Sequence, residues 1–251
     1  MNAYSITEEQ NGLLFFKINR EKKRNAVNYE VIEGLETAVE IAESSDIKAF
    51  IITGVGEKAF CSGGDLSEFH QLKTRDEAYP MLSRMANIVG KILLLSKPTI
   101  ALMNGTATGG GCEIATACDF RLGRKGLKAG FVQGGLGITT GWGGGTILFE
   151  KFPSSVALKM LADSTIYSDE ELLKMGFLNE LYDGDSYESC LTFLNKLLEK
   201  DPSVLAAYKS ILKRKWLESS ILERIEKEVE NCAILWGEEL HHQKVDEFLK
   251  K

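Results

Sequence analysis

The feature that most constrains the fold is a run of glycines set between a buried strand and a helix. The apolar run 99–104 leads into residues 103–119, MNGTATGGGCEIATACD, in which four glycines precede a helical pattern. Glycines at this point allow the backbone to approach a ligand closely and leave the N–H groups of the first helical turn unpaired. Such donors, aided by the helix dipole, suit a negative charge on a ligand. Tight packing of the helix against the strand explains the glycines equally well.

Short apolar runs alternate with helical periodicities along much of the chain. Runs 13–19, 47–53 and 99–104 are bounded by turn or charged residues and predict buried strands. Between them, apolar side chains recur at the spacing of one helical face. These side chains are Val31, Leu35, Val39 and Ala42 in one segment, and Met81, Met85, Ile88 and Ile92 in another. Alternating strands and helices indicate an α/β fold built in layers.

Towards the C-terminus the pattern changes to helix alone. The Asp-Pro pair at 201–202 predicts a helix start, and Ser220 with Glu223 predicts a capping box ahead of another apolar face. We therefore expect a core at 1–195 and a helical C-terminal oligomerisation region at 196–251. A helical extension of this kind packs on a neighbouring subunit or back on its own core, and the sequence favours neither.

Composition and charge narrow the class of protein. Of 251 residues, 44% are hydrophobic and 26% are charged, which is the normal globular range. No apolar run approaches the ~20 residues that span a bilayer, and the N-terminal segment lacks a secretory pattern, so we expect a cytoplasmic protein without membrane association. The net charge of −6 disfavours nucleic acid as a partner. Five cysteines without a C-x-x-C pair predict neither a metal site nor disulfides.

A second glycine cluster, AFCSGGDL at 59–66, also follows a strand and a turn. It is placed to supply another backbone N–H to the same space as the run in 103–119. Two N–H donors from separate loops are what an oxyanion hole requires, and loss of one donor typically costs about 2.7–4 kcal/mol of transition-state stabilisation.

Four segments of the chain together resemble the enoyl-CoA hydratase/isomerase, or crotonase, superfamily. They are NREKKRNAV (19–27), AFCSGGDL (59–66), KPTIALMNGTATGGGCEIATACD (97–119) and GGLGITTGWGGGT (134–146), in the order and spacing of the family. The resemblance implies a ββα spiral core, a C-terminal helical trimerisation region, and a homo-oligomer that is a trimer or a dimer of trimers. It also implies an acyl-CoA substrate, with coenzyme A part of that substrate and no separate cofactor.

The resemblance also implies roles for three catalytic positions. The N–H groups of Gly64 and Gly110 would form an oxyanion hole for the thioester carbonyl, where they stabilise a developing enolate. Glu113 matches one of the two catalytic glutamates of the hydratases, and burial would raise its pKa towards neutrality, as an acid or base requires. The alternative for Glu113 is a carboxylate satisfied by backbone N–H groups at a helix start.

Six further positions would bind substrate by the same resemblance. Arg24 and Ser62 would lie near the CoA nucleotide and Lys209 near its phosphates, although a solvated surface charge is an equal reading of Arg24 and Lys209. Gly109 belongs to the oxyanion loop, and Trp142 would form an apolar wall of the acyl pocket or serve as a plain core tryptophan. The sixth position is Gly135.

Gly135 is where the sequence departs from the hydratases. Their second glutamate stands four residues after a phenylalanine in a segment like F-x-x-P-E, and here FVQGGLG places Gly135 there. Ordinary hydration uses two carboxylates, so we expect no classical hydratase activity. The sequence pattern FVQ..LGIT..WGGG resembles that of the branch of the superfamily that contains methylmalonyl- and ethylmalonyl-CoA decarboxylases. A single glutamate is compatible with decarboxylation and with double-bond isomerisation.

The sequence therefore predicts an acyl-CoA enzyme with lyase or isomerase chemistry that passes through an enolate. Decarboxylation of a short branched malonyl-type CoA is the first alternative. The second is a non-catalytic acyl-CoA-binding subunit, which the missing second glutamate favours and the retained Glu113 disfavours.

Overall fold

Residues 2–250, the part of the chain that the computed structural model describes, form ten strands and eleven α-helices. The strands are β1 (Tyr4–Glu8), β2 (Leu13–Ile18), β3 (Ala49–Gly54), β4 (Ala59–Cys61), β5 (Thr99–Met103), β6 (Thr106–Thr108), β7 (Phe120–Arg124), β8 (Lys128–Gly130), β9 (Tyr167–Ser168) and β10 (Glu180–Tyr182). The helices are α1 (Tyr29–Ala42), α2 (Leu66–Phe69), α3 (Arg75–Leu94), α4 (Gly110–Ala117), α5 (Gly144–Lys151), α6 (Ser154–Ala162), α7 (Asp169–Lys174), α8 (Ser186–Leu198), α9 (Pro202–Glu218), α10 (Ile221–Trp236) and α11 (Glu239–Leu249).

The strands form two sheets, and the chain passes from one sheet to the other in a repeated ββα pattern. The first sheet has the order β1-β2-β3-β5-β7-β10 and is parallel except for the β1–β2 pair. The second has the order β4-β6-β8-β9. Each of β3, β5 and β7 is followed by a strand of the second sheet and then by helix, so the predicted ββα spiral is confirmed.

The predicted strands and helical faces are present because both faces of the first sheet are covered. Along β2, Leu14 and Phe16 join the main core, whereas Leu13 and Phe15 face the cluster that α8 covers with Cys190. Such two-sided burial is typical of parallel sheets and explains the continuous apolar runs. All eight apolar residues predicted on the helical faces of α1 and α3 are buried.

The C-terminal helices pack on the chain's own core. On α10, Ile221, Ile225 and Val229 are buried against the body of the protein. The predicted helix start at 201–202 is confirmed by Asp201, whose side chain accepts a hydrogen bond from Ser203 N. No helix among residues 2–250 is both long and apolar enough to cross a membrane.

The start of α10 differs from what the local sequence pattern indicates, and the expected boundary of the C-terminal region lies within a helix. The capping box predicted at Ser220 does not form, because Ser220 adopts a left-handed conformation with φ of 51° and its side chain makes no capping bond. The division between residues 195 and 196 remains a prediction, and α8 runs across that point.

Candidate functional site

The glycine-rich loop between β6 and α4 presents a peptide donor at the start of a buried helix. Gly109 has φ of 54° and precedes the helix, and its N–H is bound to Gly130 O at 3.0 Å. Its carbonyl accepts the N–H groups of Cys112 and Glu113 at 2.9 and 3.2 Å. Within residues 2–250, Gly110 N has no hydrogen-bond acceptor, which leaves this donor available to a ligand.

The second glycine loop lies against the first. Val27 anchors it, since Val27 N donates to Gly63 O and Asp65 N donates to Val27 O, both at 2.8 Å. A Cβ added at Gly63 would lie 3.0 Å from Gly110 N, so the two loops are in contact. Gly64 N likewise has no acceptor in the described part of the chain. The structure thus brings the two predicted oxyanion positions together.

Aromatic side chains explain why both loops require glycine, since the indole of Trp142 excludes a Cβ at Gly110 and the ring of Phe69 would lie 2.9 Å from one at Gly64. Trp142 is 4% exposed. A Cβ added at Gly110 would overlap its six-membered ring, and one added at Gly64 would lie 3.7 Å from Cζ2 of the same ring. The indole therefore lies against both glycines.

Glu113 is 2% exposed and both of its carboxylate oxygens accept N–H groups. Oε1 accepts from Gln133 Nε2 at 2.9 Å and from Gly141 N at 3.4 Å. Oε2 accepts from Trp142 N at 2.8 Å and from Gly144 N at 3.0 Å. The carboxylate is thus satisfied by N–H groups at a helix start, but that start belongs to α5 rather than to its own helix α4.

Burial sets the proton affinity of Glu113. Removal of the carboxylate from water raises its pKa from the ordinary range to about 7, and the neighbouring carboxylate of Glu228 acts in the same direction. The N–H groups of Gly144, Trp142 and Gly141 oppose this rise because they stabilise the ionised form. A carboxyl of this kind changes its charge near neutral pH, as an acid or base in catalysis requires.

Each of the three glycines at the start of α5 has a structural reason to lack a side chain. Gly143 has φ of 91°, in the left-handed region that favours glycine. A Cβ at Gly144 would overlap the side chain of Glu113, and one at Gly145 would lie 2.5 Å from Thr140 Oγ1 and 3.4 Å from both oxygens of Glu228. Glu228 itself accepts from Gly145 N at 3.1 Å and from Thr146 N at 2.6 Å. The sequence did not single out Glu228.

Gln133 is the second residue that sequence reasoning missed. Its amide donates to Glu113, and its Oε1 is buried without a partner among residues 2–250. A Cβ added at Gly109 would lie 3.8 Å from Cδ and Nε2 of this amide, so Gln133 lies between Glu113 and the oxyanion loop. Gly135, two residues on, is exposed and has open space around its Cα. The only sequence signal for Gln133 was its place in FVQGGLG.

The remaining predicted residues divide into two groups. Arg24 is exposed, and its carbonyl accepts Ser62 N at 3.2 Å, so these two lie together beside the second glycine loop. Lys209 is not brought to the site. It is buried and paired with Asp119 at 2.6 Å, next to Thr99 at the start of β5, whereas the glycine loop follows the strand's other end. A carboxylate already neutralises this cation, which does not support the expected contact with CoA phosphates.

Neighbouring polar and thiol groups have structural explanations. Asp65 caps α2 through Ser67 N at 2.9 Å and forms an ion pair of 2.7 Å with Arg20. Burial raises the pKa of the Cys61 thiol to about 12 and that of Cys112 further, so neither is an activated nucleophile. Across the described residues, no group of three His, Cys, Asp or Glu side chains could hold a metal ion.

Comparison with known proteins places the chain in a family. The family described as Enoyl-CoA hydratase/isomerase matches residues 8–250. The chain is 31% identical to short-chain-enoyl-CoA hydratase of Clostridium acetobutylicum, over 83% of this chain and 80% of that protein. It is 30% identical to ethylmalonyl-CoA decarboxylase of Mus musculus, over 94% of this chain and 74% of that protein. An enoyl-CoA hydratase/isomerase from Mycobacterium paratuberculosis shares the fold with a TM-score of 0.89, at 20% identity over 98% of each chain.

The ββα spiral thus places two peptide donors without a protein acceptor, Gly64 N and Gly110 N, near the buried carboxylate of Glu113. The chain belongs to the enoyl-CoA hydratase/isomerase family, and thus to the crotonase superfamily. Within that superfamily it also resembles the ethylmalonyl-CoA decarboxylases.

Proposed function

We propose that the chain acts on an acyl-CoA thioester and stabilises its enolate through the N–H groups of Gly64 and Gly110, with Glu113 as acid and base. The reaction is lyase or isomerase chemistry that uses one carboxylate, since one base is able to take a proton and return it at another carbon. Arg24 and Ser62 contact the nucleotide part of coenzyme A. Coenzyme A is part of the substrate, and no further cofactor takes part.

One observation carries the proposal. Two N–H groups without a protein acceptor lie on touching loops, and a single buried carboxylate lies in the adjoining helix. Donors fixed in this way stabilise an oxyanion without having to reorganise, and each is worth about 2.7–4 kcal/mol in the transition state. Relatives named for short-chain enoyl-CoA and ethylmalonyl-CoA support the substrate class.

Decarboxylation of a short branched malonyl-type CoA is the second candidate, and the similarity to ethylmalonyl-CoA decarboxylase favours it. Each oxygen of Glu113 already accepts N–H groups, so this carboxylate accepts a proton from substrate only after a donor has moved away. Departure of CO₂ leaves the C–C bonding pair as the enolate and requires no base. The enolate then needs one proton, and a protonated Glu113 would be its source.

Product analysis distinguishes these reactions. The purified protein is incubated separately with crotonyl-CoA, a 3-enoyl-CoA, methylmalonyl-CoA and ethylmalonyl-CoA, and the products are followed by mass spectrometry. Conversion of the 3-enoyl-CoA supports isomerisation, and loss of CO₂ from a malonyl-type substrate supports decarboxylation, in either case with turnover of ~1–10³ per second.

Two results would contradict the proposal. Fast hydration of crotonyl-CoA would show that a glycine at position 135 does not prevent ordinary hydratase chemistry. Tight binding of coenzyme A without turnover of any substrate would instead indicate a non-catalytic acyl-CoA-binding subunit.

A further inference from the structure

We propose that Glu228, on α10 of the C-terminal region, is a positioning residue for Glu113: it holds the same helix start and governs whether Glu113 is ionised. This inference rests on the proposed function only where it gives Glu113 a part in proton transfer. Its geometric basis concerns the protein alone, and it can be tested without turnover.

The two carboxylates accept hydrogen bonds from neighbouring pairs of N–H groups at the start of α5. Glu113 accepts from Trp142 N and Gly144 N at 2.8 and 3.0 Å, and Glu228 accepts from Gly145 N and Thr146 N at 3.1 and 2.6 Å. One comes from α4 of the core and the other from the C-terminal region. Glu228 therefore binds the residues of α5 that directly follow those bound to Glu113.

The glycines of α5 are fitted to this double contact. A Cβ at Gly144 would overlap Glu113, and a Cβ at Gly145 would lie 3.4 Å from each oxygen of Glu228 and 2.5 Å from Thr140 Oγ1. Neither glycine has a positive φ, so turn geometry does not require them. Access for Glu113 is the physical reason for bare backbone at Gly144, whereas the side chain of Thr140 excludes a Cβ at Gly145 and the oxygens of Glu228 lie in van der Waals contact with that position.

Sharing one helix start makes the two groups electrostatically dependent. A helix N-terminus carries roughly half a positive charge, which is too little to neutralise two carboxylates. The titratable groups that face Glu113 are Glu228 and Cys232 from α10 and Cys112 from its own helix. Burial raises the pKa of both thiols well above neutrality, so they are uncharged there. Glu228 is the neighbour whose charge raises the pKa of Glu113.

The test is a carboxyl titration of the full-length protein labelled with ¹³Cδ-glutamate. The resonances of Glu113 and Glu228 are assigned from the Glu113→Gln and Glu228→Gln variants. We expect Glu228→Gln to lower the titration midpoint of Glu113 by about one pH unit, because a like charge has been removed. Glu228→Asp keeps the charge but moves it away from α5, so the midpoint of Glu113 in this variant should lie between those of the unsubstituted protein and Glu228→Gln. Glu223→Gln, at an exposed glutamate of the same helix, is the matched control and should leave the midpoint in place.

A midpoint that is the same in Glu228→Gln as in the unsubstituted protein would overturn the inference. Should Glu228→Gln fail to fold, the coupling is tested in the unsubstituted protein. Its Glu228 resonance must then change at the titration midpoint of Glu113, as resonances of coupled carboxyls do. Independent titration of the two resonances would refute the coupling. In an active enzyme, the pH profile of kcat/KM must shift with the NMR midpoint, which a merely structural role would not produce. A shifted midpoint without turnover would leave this inference standing while the proposed function fails.

Discussion

At the scale of single residues, the chemistry of Glu113 depends on which of its donors is able to leave. Trp142 N and Gly144 N belong to the backbone at a helix start and are fixed by the fold. Gln133 Nε2 is a side-chain donor and is freed by rotation about its own χ angles. The Oε1 atom of Glu113 beneath Gln133 is therefore the position at which proton exchange with a substrate costs least.

Replacement of Glu113 tests this assignment directly. Glu113→Gln keeps the size of the side chain but removes the group that exchanges a proton, so we expect kcat to fall by about 10²–10⁴-fold. The affinity for coenzyme A, measured by calorimetry, should stay nearly the same because the glycine loops are untouched. Glu223→Gln serves as the exposed control. An unchanged rate would remove Glu113 from the mechanism.

The pH dependence of the unsubstituted enzyme has a definite sign if Glu113 acts first as a base. Because its pKa is raised to about 7, the carboxylate is mostly protonated and inactive at pH 6 and mostly ionised at pH 8. The rate of isomerisation should therefore rise with pH through about 7 and then level off. Decarboxylation that ends with proton transfer from Glu113 would show the opposite slope in kcat, so kcat profiles between pH 5.5 and 8.5 separate the two candidates.

The open space at Gly135 allows the missing carboxylate to be restored. No atom lies within 4 Å of a Cβ built at Gly135, and the residue does not have a positive φ, so a longer side chain enters without strain. We expect Gly135→Glu to hydrate crotonyl-CoA at least tenfold faster than Gly135→Gln, which has the same size without the charge. Equal rates would show that the second glutamate is not what this chain lacks for hydration.

At the scale of elements, α9 is joined to the sheet by a buried ion pair rather than by apolar contact alone. Lys209 donates to both oxygens of Asp119 at 2.7 and 2.6 Å, and Asp119 in turn accepts Thr99 N at the start of β5. A buried charge left without its partner typically costs about 3–5 kcal/mol. The pair therefore fixes the position of α9 at the N-terminal ends of β5 and β7 in the first sheet.

We expect Lys209→Met to lower the free energy of unfolding by about 3–5 kcal/mol in urea titrations. The substitution keeps the volume of the side chain but leaves the carboxylate of Asp119 without its ion-pair partner. Lys125→Met is the control, since Lys125 forms an exposed pair with Asp183 at 3.5 Å that is worth at most about 1 kcal/mol. Coenzyme A affinity of folded Lys209→Met should match that of the unsubstituted protein. A selective loss of CoA binding without loss of stability would restore the role first expected for Lys209.

The sequence predicted those elements whose signal is local. Helical periodicity identified the buried faces of α1 and α3, and the glycine clusters identified the two loops in which Gly64 N and Gly110 N have no acceptor among residues 2–250. Contacts across long separations carried no such signal: Glu228 reaches Gly145 over 83 positions and is one of several glutamates on α10. Ser220 does not cap α10, because it lies in the turn between α9 and α10 with a left-handed backbone, which the local sequence pattern did not indicate.

At the scale of the whole molecule, the helical region has two different surfaces. α10 is committed to the chain's own core, where it supplies Glu228 to the start of α5. α9 instead exposes Val204, Tyr208 and Ile211, which are 44%, 67% and 55% exposed and share one helical face at spacings of four and three. An apolar row of this kind on an outer helix is typical of a protein interface. The predicted trimer, or dimer of trimers, would bury it.

Light scattering coupled to size-exclusion chromatography tests that assembly. We expect a mass three or six times that of one chain, and a shift to smaller species when Tyr208→Asp and Ile211→Asp are combined, because both charges would have to be buried in the interface. Ser210→Asp adds one charge to an exposed position between them and should leave the mass unchanged. The Glu113–Glu228 pair lies within one chain, so its titration should survive dissociation even where the oligomer does not. A monomeric unsubstituted protein at micromolar concentration would contradict the assembly and assign the exposed row of α9 to another partner.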